Sequence, residues 1–243
     1  MLMYGWMKFV EIAPERYDWA VKFMTGGRID QIKDRIADAV RPGDRVLDIG
    51  CGTGTLGLRC MKKGADFVGL DSSRYMLEQT QKYADTAGVG NRLTVVHDSV
   101  TQLRAHFADE SFDVVTSTMA LGEFPRDFLD FIMKECRRIL KPGGRLLIAD
   151  EVWPEKFFPR LAYQVGLVLL WIPQFLLLRR ALFPIKDLRQ IIVSAGFKVT
   201  GVTTWAASSF HLVEAEKELV AVSPQVVSPQ TESAAVTPVM AYR

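Results

Sequence analysis

The run Val46-Leu47-Asp48-Ile49-Gly50-Cys51-Gly52-Thr53-Gly54 constrains this chain more than any other feature. It sets an acid near the end of an apolar strand and follows it with glycines at alternate positions. That spacing lets the backbone turn tightly and lets a ligand approach where any Cβ would collide. The surroundings complete a β-turn-α unit: a strand over 45–49, a turn over 50–54 and a helix over 55–63. Ahead of it, Ile29, Ile32, Ile36, Ala37 and Val40 recur at helical spacing until Arg41-Pro42-Gly43 stops them. Downstream the pattern predicts a strand over 67–70 ending at Asp71, a helix over 76–87, and strands over 93–97 and 112–117. A helix over 128–140, a turn at Lys141-Pro142-Gly143-Gly144 and a fifth strand over 145–149 follow. A last helix over 186–195 and late strands over 197–204 and 210–215 finish the reading. Strands alternating with helices, several of them uniformly apolar, imply an α/β chain with a parallel sheet covered on both faces.

The literal GxGxxG spacing also occurs, from Gly52 through Gly54 to Gly57, and admits a nicotinamide or flavin dinucleotide. Charge opposes that ligand, because its pyrophosphate would sit at the helix start beside Asp48. S-adenosylmethionine has no phosphate and carries an ammonium and a sulfonium, so the same carboxylate attracts it. Asp71, 17 residues after Gly54, stands where Rossmann-type sites set an acid that accepts ribose hydroxyls. Its plainer alternative is a helix N-cap, and Asp98 has the same two readings. Asp98 and Ser99 follow the third strand at the same sheet edge, where an acid accepts an adenine amino group and a backbone amide donates to the ring. Cys51 reads as a compact turn filler, since no His lies near it in sequence.

The 243 residues are 49% hydrophobic and 24% charged, enough for one well-buried domain over 1–218. A net charge of +2, with no dense run of Lys and Arg among aromatics, argues against a nucleic-acid partner. Three cysteines without a CxxC pair predict neither a disulfide framework nor a zinc site, and a reducing, cytoplasmic compartment. The start of the chain, with Tyr4, Trp6, Lys8 and Glu11, lacks the form of a signal peptide. Residues 219–243, with Ser-Pro-Gln at Ser223 and Ser228, read as a flexible tail. Within an insertion over 152–185, the stretch 161–178 is free of charge and flanked by Lys156, Arg160, Arg179 and Arg180. Its length matches a membrane span, yet it lies between parts of one sheet and Pro173 interrupts it. The first reading is a lid over an apolar substrate pocket; the second is a peripheral membrane contact through 161–180.

Taken together, VLDIGCGTG, GLDSS, HDSV and LKPGGRLLIADE resemble the successive motifs of the class I S-adenosylmethionine methyltransferases. IAPERYD at 12–18, GLDSSRYML at 69–77 and FDVVTSTMALGEF at 112–124 resemble the ubiquinone and menaquinone biosynthesis branch. The chain resembles still more the corrinoid protein-associated methyltransferases, which share MKFVEIAPERYD and ADEVWP. The resemblance spans 7–217 and implies a Rossmann-like class I methyltransferase fold: a mostly parallel seven-stranded sheet, helices on both faces and an antiparallel last strand. It implies S-adenosylmethionine as cofactor, with Asp48, Gly50, Gly52 and Gly54 around the methionine moiety and Tyr17 and Thr118 flanking it. Asp71 would hold the ribose, Met76 would pack near the nucleoside and Asp98 would hold the adenine, with Cys51, Ser72 and Ser99 as neighbouring contacts. The quinone enzymes differ after the fourth strand, where this chain reads Ala120-Leu121-Gly122-Glu123, and in their ending. The expected substrate is a small molecule, with a corrinoid protein as an associated partner. If the acceptor has a proton to lose, Glu123 is the first candidate base, ahead of His97, Asp150, Glu151 and Tyr163. The rival to an enzyme is a non-catalytic S-adenosylmethionine-binding accessory protein of a corrinoid system.

Overall fold

The structure, a computed structural model, describes residues 17–19, 21–22, 25, 27–153, 184–205 and 210–218. Its helices are α1 (Arg28–Asp38), α2 (Thr55–Lys62), α3 (Arg74–Thr86), α4 (Leu103–His106), α5 (Arg126–Ile139) and α6 (Leu188–Ser194). Its strands are β1 (Arg45–Ile49), β2 (Asp66–Asp71), β3 (Leu93–His97), β4 (Phe112–Thr118), β5 (Leu140–Glu151), β6 (Phe197–Trp205) and β7 (Phe210–Lys217). They form a seven-stranded sheet in the order β3-β2-β1-β4-β5-β7-β6. The first five strands pair in parallel, and β7 runs antiparallel between β5 and β6.

Each face of the sheet carries its own apolar layer. Ile32 and Ile36 of α1, Leu56 and Cys60 of α2 and Leu77 and Ala84 of α3 cover one face over Val46, Phe67 and Val114. Leu103 of α4, Leu129, Ile132 and Met133 of α5 and Ile191 of α6 cover the other over Leu47, Leu70, Val115 and Ile148. A strand buried on both faces selects apolar residues on both, as at Val46-Leu47 of β1 and Val114-Val115 of β4, while Asp48, Thr116 and Ser117 are buried polar exceptions at the ends that face the crevice. Burying each large aliphatic side chain contributes about 1.5–3 kcal/mol.

Two predicted details change. Lys141-Pro142-Gly143-Gly144 is a bulge within β5, not a turn ahead of it: Leu140 pairs with Phe112 before the register jumps to Arg145 opposite Val114. Lys217 Nζ donates to the Leu140 carbonyl at 2.6 Å, which holds the strand's first residue in place. The apolar strand β3 lies at the sheet edge, with Thr94 exposed and Val95 38% exposed. Its composition reflects strand propensity, not burial.

The two ends of the insertion meet beside the sheet. Val152 bridges Ile185, Ile185 N donates to Glu151 O at 2.8 Å and Trp153 N donates to Ile185 O at 3.2 Å. Residues 154–183, with Tyr163 and the apolar stretch, lie outside the described residues, as does 219–243. Among the described residues no helix is long and apolar enough to cross a membrane.

Candidate active site

The strand order reverses between β1 and β4, and the crevice at their carboxyl ends is where open α/β sheets hold ligands. β1 runs into the glycine turn, whose Gly50 and Cys51 amides donate to Leu70 O at 2.8 and 3.1 Å. Gly50 and Gly54 hold φ near 72° and 73°, which side-chain-bearing residues rarely adopt. A Cβ on Gly50 would lie 2.4 Å from Ala120 Cβ, and one on Gly54 would lie 2.3 Å from Thr80 Cγ2. The turn is also tied to α3: the Thr80 hydroxyl lies 2.9 Å from Gly52 O and 3.0 Å from Met76 O. Gly57, the third glycine of the GxGxxG spacing, serves packing, since a Cβ there would lie 2.4 Å from the Phe67 ring. It seats α2 on β2, a need that any tight β-turn-α unit shares.

Above the turn is a cavity of about 260 Å³ lined by Tyr17, Asp18, Lys33, Asp48, Gly50, Cys51, Gly52, Thr53, Thr55 and Thr118, among others. Asp48 is 2% exposed and pairs in register with Thr116. Among the described residues, Asp48 Oδ1, Thr116 Oγ1 and Thr118 Oγ1 are buried without a hydrogen-bond partner. Burial raises the Asp48 carboxyl to about 8, while Lys33 pulls it down and Asp71 pushes it up. A buried carboxylate oxygen without a partner is costly until a donor or cation reaches it. The ammonium of S-adenosylmethionine is such a group, so the residues fit that cofactor, whereas a pyrophosphate would worsen the imbalance. Tyr17 lines the cavity, and burial raises its phenol to about 12, with the negative charges of Glu123, Asp71 and Asp18 adding to the shift.

The residues expected on the nucleoside side lie along and just beyond the ends of β2 and β3. Asp71 Oδ2 accepts from Gly52 N and Oδ1 from Ser73 N, both at 2.8 Å. Burial raises its pKa, against the pull of those backbone donors. The N-cap of α3 is Ser73, whose Oγ accepts from Met76 N, so Asp71 braces the glycine turn instead of capping the helix. Each Asp71 oxygen retains a lone pair for a ribose hydroxyl. Ser72 gives its carbonyl to His97 Nε2 at 3.1 Å, and Met76 is buried. Asp98 N donates to Asp71 O at 3.2 Å, which joins the two strand ends. Its carboxylate lies 2.7 Å from His106 Nε2 and accepts from Ser99 N at 2.7 Å, and the His106 hydrogen bond holds its pKa below the usual range. Ser99 caps the short turn Val100–Gln102. Cys51 Sγ fills the space beside Gly69, and burial, then the Asp48 charge, pushes its thiol well up. An inert, compact residue suits that position.

Among the candidate bases, Asp150 is committed to the backbone. Its Oδ2 accepts from Leu121 N at 2.9 Å and Gly122 N at 3.2 Å, and its Oδ1 accepts from Glu151 N at 2.8 Å. Burial raises its pKa to about 6. Asp150 therefore fixes the turn Leu121–Glu123, on which Glu123 is exposed and close enough for its charge to act on Tyr17. Sequence reasoning passed over Lys33, Asp18, Thr53 and Thr80. For Lys33 a signal existed: it lies four residues after Ile29 and three before Ile36, a lysine on the apolar face of α1. Asp18 accepts from Thr53 Oγ1 at 2.6 Å and from Tyr83 OH at 3.4 Å, contacts across 35 and 65 residues that no local pattern announces.

Residues 46–144 match a family described as a methyltransferase domain. The chain is 34% identical over 147 residues to the ubiquinone/menaquinone biosynthesis C-methyltransferase of Cereibacter sphaeroides, covering 58% of this chain and 56% of that protein. It thus spans little more than half the length of that relative. It is 30% identical over 206 residues to the ubiquinone biosynthesis O-methyltransferase of Sinorhizobium medicae, covering 79% and 81% of the two chains. The crystal structure of an S-adenosylmethionine-dependent methyltransferase from Mesorhizobium loti superposes with a TM-score of 0.56 at 20% identity, covering 72% of this chain and 91% of that one. This likeness speaks to the fold. On the combined evidence of sheet order, glycine turn and relatives, the chain belongs to the class I S-adenosylmethionine-dependent methyltransferases.

Proposed function

We propose that this chain transfers a methyl group from S-adenosylmethionine to a small apolar acceptor by direct displacement. The observation that carries the reading is Asp48, a buried acid that lines the cavity beside the glycine turn and has one carboxyl oxygen without a partner among the described residues. When bound, the cofactor supplies a methyl group on a positively charged sulfur. Asp48 and the glycine turn would hold its amino-acid end, Asp71 would accept from the ribose hydroxyls and Asp98 would accept from the adenine amino group. Tyr17 and Thr118 border the cavity and limit water beside the reacting centre. Aligning the acceptor and excluding water lowers the barrier by several kcal/mol. Glu123, on the turn held by Asp150, takes the proton when the acceptor atom carries one.

The apolar class of acceptor is supported by the relatives named for quinone biosynthesis and by the charge-free stretch 161–178. The basic residues flanking that stretch favour an acceptor drawn from a membrane surface. The resemblance of 7–18 and 149–154 to corrinoid-associated enzymes makes a corrinoid methyl-transfer system the context in which to seek it. Calorimetric titration with S-adenosylmethionine, S-adenosylhomocysteine and NAD tests the cofactor, and transfer of a labelled methyl group to apolar phenols and quinols tests the acceptor class. Binding of the sulfur ligands and labelling of an apolar compound support the proposal. Binding of NAD alone removes it, and binding without transfer to any acceptor favours the accessory role.

A further inference from the structure

β4 ends at Thr118, and the next residue, Met119, holds φ at 58°. That left-handed backbone is easy for glycine, tolerable for Asn or Asp and unfavourable for methionine, whose Cβ crowds its own backbone. Contacts on both sides hold the residue there. Met119 N donates to Ala149 O at 2.9 Å, and Ala120 packs so closely on the glycine turn that a Cβ on Gly50 would lie 2.4 Å from its own. Beyond it, Asp150 holds the amides of Leu121 and Gly122. A glycine would meet the needs of this backbone without strain, so a strained methionine points to a task for the side chain. That side chain is half-buried, packs against the apolar layer that includes Leu56 and lines the cavity with Tyr17, Asp48 and Thr118. Met119 leaves β4, which flanks the crevice opposite β1 and its glycine turn, and stands four residues before Glu123.

We propose that Met119 determines which acceptor this chain methylates: its side chain, held at the cavity wall by a left-handed backbone, sets the size and shape of the apolar group that can reach the methyl. The inference rests on the methyl-transfer reading given under Proposed function and names the residue that discriminates among acceptors. Direct displacement requires the acceptor to meet the methyl on the side away from the sulfur. With the glycine turn of β1 taken by the amino-acid end, a residue on the β4 wall, between the cavity and the Glu123 turn, borders the acceptor's path. A thioether is unbranched and polarisable, so it fills irregular apolar space against a flat or uneven partner. Contacts of this size in an apolar pocket discriminate between acceptors by about tenfold to a hundredfold.

The test compares the wild-type protein with Met119→Gly, Met119→Ala and Met119→Leu in three measurements. In urea unfolding, Met119→Ala loses packing and keeps the strain, whereas Met119→Gly sheds the strain, so the glycine variant should unfold at the higher urea concentration. The reverse order overturns the premise that the backbone is strained for the sake of the side chain. In calorimetric titration all variants should bind S-adenosylhomocysteine as the wild type does; a loss there as large as the loss in transfer places Met119 on the cofactor and overturns the assignment. In transfer of a labelled methyl group to phenols and quinols bearing ring substituents of increasing size, Met119→Gly should lose about tenfold or more in kcat/KM on the acceptor the wild type prefers and gain on bulkier ones. Met119→Leu should keep the wild-type order of preference. A parallel loss on every acceptor, or no loss, removes this inference and leaves the methyl-transfer reading standing. Failure of the wild-type protein to label any of these compounds removes the apolar-acceptor reading and this inference together.

Discussion

Asp48, raised by burial to about 8, holds its proton at neutral pH while the cavity is empty. An arriving ammonium favours the carboxylate, so cofactor binding should release a proton and tighten as pH rises from about 6 to about 8, then level off. Titration in buffers of different ionisation enthalpy counts that proton; an affinity independent of pH across this window would contradict the role. The same shift has the opposite sign for folding. The unfolded carboxyl titrates near 3.8 and the native one near 8, so the native state binds more protons between them. The associated stability is complete below about pH 4 and is lost as pH rises through about 8. Asp48→Asn should accordingly stabilise the apoprotein by about 1–2 kcal/mol at pH 8 and leave it unchanged at pH 4, while weakening the cofactor. Urea titrations at the two pH values would show it. Asp48 and Asp71 were legible because the local pattern carries them. The signal for Lys33, a lysine on the apolar face of α1, is weaker, because such a lysine reads as solvated unless the partner element is known.

At the scale of elements, the turns are set by close approach. Gly50→Ala would force a Cβ against Ala120 at a positive φ, and a loss of about 2–4 kcal/mol in chemical denaturation is expected. Gly57→Ala would press on the Phe67 ring at an ordinary helical φ, so about 1–3 kcal/mol should be lost and Phe67→Leu should restore part of it. Absence of that coupling in a double-mutant cycle would refute the packing role. Asp150 acts through the turn Leu121–Glu123. Asp150→Asn replaces an acceptor of two amides by a group that supplies a donor, so turnover should fall about tenfold or more with little change in cofactor affinity. Steady-state kinetics beside calorimetry separates the two effects. The bulge in β5 shows where local reading stops: Lys-Pro-Gly-Gly has turn chemistry, yet the pairing of Leu140 with Phe112 keeps it inside a strand.

Across the whole molecule, β1, β4 and β5 are central and covered on both faces, whereas β3 is an exposed edge. Native-state hydrogen exchange should find the slowest amides in β1 and β4 and earlier opening in β3; uniform protection across the sheet would contradict this account. Most strands and helices were readable within a few residues, because period and punctuation are local properties of the chain. So were the acid-glycine turn and the acids at successive strand ends, because sheet order brings every such end to one edge. Local pattern alone establishes the alternating α/β chain, the acid-glycine turn and the negative charge beside it. Which groups share the cavity, Asp150's service to the Leu121–Glu123 turn and the place of Lys33 on the cavity that Asp48 lines emerge from the folded chain. Those relations join residues far apart in the chain, and their energies come from burial and proximity, which exist only once the sheet has closed its two faces.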